Sequence, residues 1–290
     1  MNFTYFDPSS VAIAVITYYP KWYQGKLRNI KDTDKVRGDL ALEFFSKATN
    51  LGYKVVVADG KSPKTFRKVL SKIRGLITIK RRSLKRSVAR RQVIKRASQI
   101  PNVKVIISTE AEKTSLLDHI EKICRPILEK KADIVVPKRN MALFQKTYPL
   151  YMYESEIEGN KLYNKILRTN GILKAGEDFD LFFGPRVFAN DLKVLRLFSK
   201  KYQLRFSKTT YLLNSHFDYE DYSTTQYFPL ITALKKGFRV KSVDINFSYP
   251  EVQKENEERG ERALFEEKRK YQRMIILSDL LYFLKLLKSG

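Results

Sequence analysis

Short runs of consecutive apolar residues alternate with longer segments whose apolar positions recur at helical spacing. Val11-Ala-Ile-Ala-Val-Ile16 is continuous and rich in β-branched residues, as a strand buried on both faces requires, and Thr17-Tyr-Tyr-Pro20 ends it. Lys54 to Ala58, Leu76 to Ile79, Val103 to Ser108 and Asp133 to Val136 repeat the strand pattern. Helical segments fall between them: from Thr33 or Asp34 to about Tyr53, Ser62 to Ile73, Ser83 to Ser98 and Ser115 to Lys130. Such alternation predicts a parallel, right-handed βαβ sheet, whose ligands sit beyond the carboxyl ends of the strands. Chemistry is therefore expected at strand ends.

The second half has another rhythm. Tyr148 to Arg168 is aromatic, acidic and reads as helix, Phe179 to Phe188 is an apolar segment containing a turn, and Arg239 to Phe247 is a late strand. From Glu251 the chain is charged and then apolar at helical spacing, which predicts a C-terminal helical extension packed on the body, a second copy or a membrane surface.

Composition narrows the class. With 43% apolar and 12% aromatic residues, 290 residues suffice for a packed core. A single cysteine, Cys124, excludes an intrachain disulfide, and its apolar helical context makes it a buried thiol. MNFTYFDPSS does not read as a secretory signal, and no run approaches the ~20 apolar residues that span a bilayer. The expectation is a cytoplasmic protein, soluble or peripheral on the cytoplasmic face of a membrane. Fifty-six Lys and Arg against 31 acids, a net charge of +25, imply an anionic partner such as nucleic acid, acidic lipid or a phosphorylated substrate, or else a solvated basic surface.

The strand ending at Ser108 delivers Thr109-Glu-Ala-Glu-Lys113. Carboxylates at i and i+2 past a buried strand suit a hard Mg²⁺ or Mn²⁺ ion bridging to diphosphate oxygens, so Glu110 and Glu112 are candidate metal ligands. Alternatively, Glu112 caps the helix near Ser115. Asp59-Gly60-Lys61-Ser62 ends the second strand, where an aspartate can meet a ribose or base edge, although Asp-Gly is also ordinary turn chemistry. Arg81, Arg82, Lys85 and Arg86 follow the third strand and suit a pyrophosphate, a solvated helix face or a nucleic acid. His119 lies in a predicted helix and reads as structural. His216, in Asn214-Ser-His-Phe-Asp218, is the candidate second-half ligand to metal or diphosphate.

The order strand-Asp-Gly-x-Ser, basic segment with Ala89-Arg90, strand running into acid-x-acid resembles the N-terminal half of GT-A glycosyltransferases of the family-2 type. The resemblance implies an α/β fold with a Rossmann-like, mostly parallel sheet flanked by helices and a C-terminal helical extension. It implies that Asp59 contacts the nucleoside, that Arg90 lies beside the nucleotide, and that Glu110 with Glu112 holds Mg or Mn on the diphosphate. Glutamate in place of the family's aspartate lengthens each arm by a methylene. Thr17, Tyr18, Lys61, Arg81, Arg86, Thr109 and Lys113 join the expected nucleotide-sugar contacts, with Lys113 able to neutralise diphosphate charge.

The second half is similar in outline to mannosylglycerate-synthase-like transferases, with Gly184-Pro-Arg186 after Glu177-Asp-Phe-Asp180, then Gln226-Tyr-Phe-Pro229, Gly237 and Tyr249-Pro250-Glu251. This implies Arg186 as a donor contact and Asp178 or Asp180 near the acceptor, where a carboxylate takes a hydroxyl proton. The expected organisation is a transferase domain over 1–250, with a nucleotide-sugar half (11–140) and an acceptor half (141–250), and an extension over 251–290. The expected partners are a nucleotide-diphospho-sugar donor and a glycan, lipid or protein acceptor, with membrane or homo-oligomer contact through the C-terminal helix. A sugar-phosphate nucleotidyltransferase is disfavoured because Thr17-Tyr-Tyr-Pro-Lys21 replaces the Gly-rich phosphate loop. A nucleic-acid-binding protein and an inactive GT-A scaffold are the alternatives.

Overall fold

The computed structural model describes residues 6–83, 85–202, 223–260 and 262–289. Seven strands form one sheet: β1 (Val11–Thr17), β2 (Lys54–Asp59), β3 (Leu76–Lys80), β4 (Val105–Ser108), β5 (Ile134–Arg139), β6 (Arg186–Ala189) and β7 (Val240–Ile245). Their order is β3-β2-β1-β4-β6-β5-β7. Pairing is parallel except at β6, which runs antiparallel to both β4 and β5. The chain steps outward from β1 to β3 and then returns to β4 on the other side of β1, so the sheet has a topological switch point between β1 and β4.

Helices cover both faces, which is why the central strands carry apolar residues at nearly every position. Val11, Ile13, Val15, Val55, Val57, Val105 and Ile107 face a core shared with α1 (Thr33–Asn50), α2 (Lys64–Leu70) and α4 (Ile120–Leu128). Ala12, Ala14, Val56, Ala58 and Ile106 face the opposite core, shared with α3 (Arg86–Ser98), the helices Leu150–Thr169, Leu192–Ser199 and Phe228–Lys235, and the long C-terminal helix Arg262–Ser289. Cys124 is fully buried on α4 and burial pushes its thiol pKa well up, so it is inert packing.

The mostly parallel sheet and the C-terminal helical extension agree with expectation. The segment expected as an apolar turn, Phe179 to Phe188, holds a 3₁₀ turn (Leu181–Phe183) and the short antiparallel strand β6. The helix expected from Ser115 is a 3₁₀ stretch, Thr114–His119, followed by α4, with His119 at the junction. The extension breaks at Gly260 into Glu251–Arg259 and Arg262–Ser289. No described helix is long and apolar enough to cross a membrane.

Candidate functional site

The carboxyl ends of β1 and β4, the amino end of β6 and the two C-terminal helices surround a cleft of about 220 Å³ at the switch point. Among the described residues, eight Arg and Lys side chains line it (Arg37, Arg81, Arg86, Arg90, Lys113, Arg139, Lys268, Arg269), with four glutamates (Glu110, Glu112, Glu156, Glu257). Of the residues expected from sequence, Thr17, Tyr18, Arg81, Arg86, Arg90, Thr109, Glu110, Glu112 and Lys113 meet here.

The β1 and β2 ends are stitched together by Asp59. It accepts from Thr17 Oγ1 (3.0 Å), Ser62 Oγ (2.5 Å) and the Ser62 amide (2.9 Å), while the Gly60 amide donates to the Thr17 carbonyl (2.7 Å). A carboxylate offers about four acceptor positions, so one remains for a ligand. Asp59 and Lys61 line a neighbouring hollow of about 600 Å³ under β2 and β3, which shares Arg81 with the cleft. Gly60 lets Arg81 cross between the two: a Cβ there would stand 2.2 Å from Arg81 Nη1.

The two glutamates past β4 diverge. Glu112 accepts from Tyr19 OH (3.0 Å) and pairs with Arg37 (2.6 Å), so its carboxylate caps no helix. The Arg37 pKa rises, with Glu112 the main cause. Glu110 lies between Arg90 (3.6 Å) and Lys113 (3.9 Å). Burial raises its pKa, but Lys113 and Arg90 outweigh burial and hold it below the ordinary value. Gly184 presses on it from behind: at φ +100° it adopts a backbone conformation that favours glycine, and a Cβ would meet Glu110 Oε2 at 2.9 Å. Burial lowers the Lys113 pKa, and its ammonium lies over the Phe183 ring (4.8 Å).

This donor set does not make a shared metal cage. Among the described residues no three His, Cys, Asp or Glu gather closely enough to hold a metal ion. Glu112 is committed to Arg37 and Tyr19, and although Glu110 Oε2 is buried with no hydrogen-bond partner among the described residues, cations flank it on both sides. His216, the third expected ligand, lies outside the described residues.

The expected acceptor-side carboxylates do not face the cleft. Asp178 is exposed and pairs with Arg168 (2.5 Å). Asp180 is buried and accepts from Arg139 Nε (2.7 Å), Arg139 Nη2 (2.8 Å) and Asn160 (2.9 Å). Burial alone would raise its pKa, yet Arg139 holds it below the usual aspartate value. Arg186 is buried behind Glu110, donating to the Leu181 and Pro185 carbonyls rather than lining the cleft. Sequence reasoning missed Arg37, Arg139, Glu156, Glu257, Lys268 and Arg269, which arrive from helices and from the end of β5. Helical charges facing a distant strand end carry no local signal, although the dense Lys268 to Lys270 run marks the region as basic.

No protein-family model matches the chain, and no curated protein matches its sequence. Solved structures share its general course. A Desulfovibrio desulfuricans protein given as a nucleotide-diphospho-sugar transferase is 10% identical, with 92% of this chain and 98% of that one covered and a TM-score of 0.47. Mycobacterium tuberculosis glucosyl-3-phosphoglycerate synthase is 9% identical, with 83% and 72% covered and a TM-score of 0.47. Staphylococcus aureus TarS, residues 1–349, is 12% identical, with 82% and 59% covered and a TM-score of 0.41. The activities and substrates in those names belong to those proteins.

Proposed function

We propose that the chain is a GT-A-type glycosyltransferase that moves a sugar from a nucleotide-diphosphate donor to an acceptor hydroxyl. One observation carries the reading: at the β1/β4 switch point, beside a nucleoside-sized hollow, the cleft gathers Arg81, Arg86, Arg90 and Lys113 around Glu110. The nucleoside lies against Asp59 and Lys61, and the diphosphate runs along Arg81, Arg90 and Lys113. The start of α3, whose first turn carries Arg86 and whose second begins at Arg90, adds the partial positive charge of a helix N-terminus.

In the transfer, the bond between the anomeric carbon and the diphosphate oxygen breaks and that oxygen keeps the electron pair. The acceptor oxygen bonds to the anomeric carbon, and its proton passes to the departing diphosphate or to water. Negative charge grows on the departing diphosphate, where guanidinium and ammonium groups bind more strongly in the transition state than in the ground state. Glu110 orients Arg90 and Lys113 for this task. Fixed cations supply the charge stabilisation. Asp180 anchors Arg139, and Asp178 remains outside the reacting centre.

The test is a panel of nucleotide sugars assayed for release of nucleoside diphosphate. One donor is expected to be turned over, and Arg90→Gln to lower that turnover about 100-fold or more. Salt-sensitive binding to duplex nucleic acid with no response to any nucleotide would replace this reading with the nucleic-acid one.

A further inference from the structure

The helix Glu251–Arg259 brings a polar pair to the cleft that the transfer step leaves unused. Gln253 and Glu257 stand one turn apart on the same face, both line the cleft, and only 7% and 6% of their surfaces are exposed. Glu257 Oε1 accepts from Tyr249 OH (2.8 Å) and from Gln253 Nε2 (3.3 Å). Its other oxygen, Oε2, and Gln253 Oε1 are buried with no hydrogen-bond partner among the described residues. The bond from Nε2 fixes the Gln253 amide, because a flipped amide would set two acceptors against each other. Two acceptor oxygens are therefore buried without a donor, which costs free energy until a ligand supplies one.

The surrounding structure holds the pair in place. Asn256 Nδ2 donates to the Ile30 carbonyl (2.6 Å), and the helix ends at Gly260, where a Cβ would stand 2.4 Å from the Asn256 carbonyl oxygen. Arg37 pairs with Glu112 (2.6 Å) and is also attracted by Glu257, so the helix meets the cleft close to the end of β4.

The neighbours select the kind of donor. An ammonium ligand would enter beside Arg37 and Lys268, which both feel the charge of Glu257, and like charge would oppose it. A phosphate or carboxylate ligand offers oxygens that accept rather than donate, and sets a second anion against Glu257. Neutral hydroxyls donate to both oxygens without either cost. Tyr148 and Tyr249, with ring centres 4.3 Å apart, line the cleft next to Glu257 and present apolar surface to the C–H groups between hydroxyls.

We infer that Gln253 Oε1 and Glu257 Oε2 bind two hydroxyl groups of the acceptor, so the acceptor is a neutral saccharide. This inference rests on the transferase reading. The two bonds orient the acceptor, and a third hydroxyl of the same molecule takes the sugar.

The test uses the intact chain with the donor that it turns over. A panel of neutral mono-, di- and trisaccharides, with glycerol 3-phosphate and ethanolamine beside it, is assayed for nucleoside-diphosphate release above the rate in water alone. At least one neutral saccharide is expected to raise that rate. In wild type, single-deoxy analogues of the best saccharide are expected to raise its KM about tenfold or more at two positions. Glu257→Gln, which puts an amide nitrogen where Oε2 accepts, and Gln253→Leu should each raise the KM of the parent saccharide by a similar factor. Each should also abolish the penalty of one deoxy position, a different one in each variant, which a merely structural role would not do. A thermal shift with nucleoside diphosphate verifies that a variant folds, and the deoxy series in wild type decides the matter where one does not.

Stimulation by glycerol 3-phosphate or ethanolamine alone, or by nothing in the panel while the donor is still hydrolysed, overturns the saccharide acceptor and leaves the transferase reading standing. A KM unchanged across the deoxy series, or unchanged in both folded variants, overturns the assignment to Gln253 and Glu257. No response to any nucleoside diphosphate or nucleotide sugar overturns the transferase reading, and the acceptor assignment with it.

Discussion

Arg139 is almost wholly buried and meets Asp180 through two nitrogens and Glu156 (2.7 Å) through a third, with its guanidinium 3.6 Å from the centre of the Phe144 ring. Removing one partner of such a buried pair leaves an uncompensated charge, so Asp180→Asn is expected to cost about 3–5 kcal/mol, read by urea unfolding. Wild-type stability in that variant would contradict the anchoring role. The pH dependence has a definite sign. The folded pKa of Asp180 lies below its unfolded value of about 3.9, so its contribution is present above that value and lost as pH falls through the folded pKa. Asp180→Asn should lack this acid-labile component. From sequence, Asp180 is an acid near an expected acceptor site, because nothing local reveals a buried partner 41 residues earlier at the end of β5. Asp59, by contrast, was legible, since a strand end and a turn dipeptide fix its position locally.

Lys268 and Gly60 give two further expectations at this scale. The folded Lys268 pKa of about 8 lies below the usual lysine value, so the charged form is disfavoured in the fold. That penalty is full below pH 8, and stability is regained as pH rises from there to the unfolded pKa of about 10.4. Urea unfolding at several pH values, in wild type and Lys268→Gln, checks this: the rise above pH 8 should be absent in the variant. At Gly60, the Ala variant should displace Arg81 and weaken nucleotide binding, because the new Cβ would stand 2.2 Å from Nη1. Calorimetric titration with unchanged affinity would show that Arg81 makes no donor contact.

At the scale of elements, the C-terminal helix belongs to the core and also walls the cleft. Ile275, Ile276, Leu280, Phe283 and Leu284 are buried, and Phe283 stacks on Phe228 with centroids 3.9 Å apart. At roughly 1.5–3 kcal/mol per buried side chain, the five contribute on the order of 10 kcal/mol, comparable to the whole stability of a domain. Truncation after Arg259 should therefore yield a protein without fixed tertiary packing by near-ultraviolet circular dichroism. A folded truncation product would make the helix an appendage. The sequence pattern gave the helix its existence but not its docking site, because periodicity reports a buried face and not what buries it. The strand β6 escaped for a different reason: at four residues, beside a 3₁₀ turn, it is too short for a period to register. The long parallel strands were readable because burial on both faces leaves near-continuous apolar runs.

At the scale of the whole molecule, the net charge of +25 is partly concentrated where the sheet changes direction. Fixed positive charge at a switch point is a way to bind a diphosphate, and its effectiveness depends on the positions of Arg81, Arg90 and Lys113 more than on total charge. The central claim is tested most directly by thermal titration of the intact chain with nucleoside diphosphates in the presence of a chelator. The expected result is a saturable rise of roughly 5 °C when ligand exceeds its dissociation constant about 100-fold, lost in Arg90→Gln. A melting temperature unmoved by every nucleoside diphosphate, with or without Mn²⁺, would contradict it.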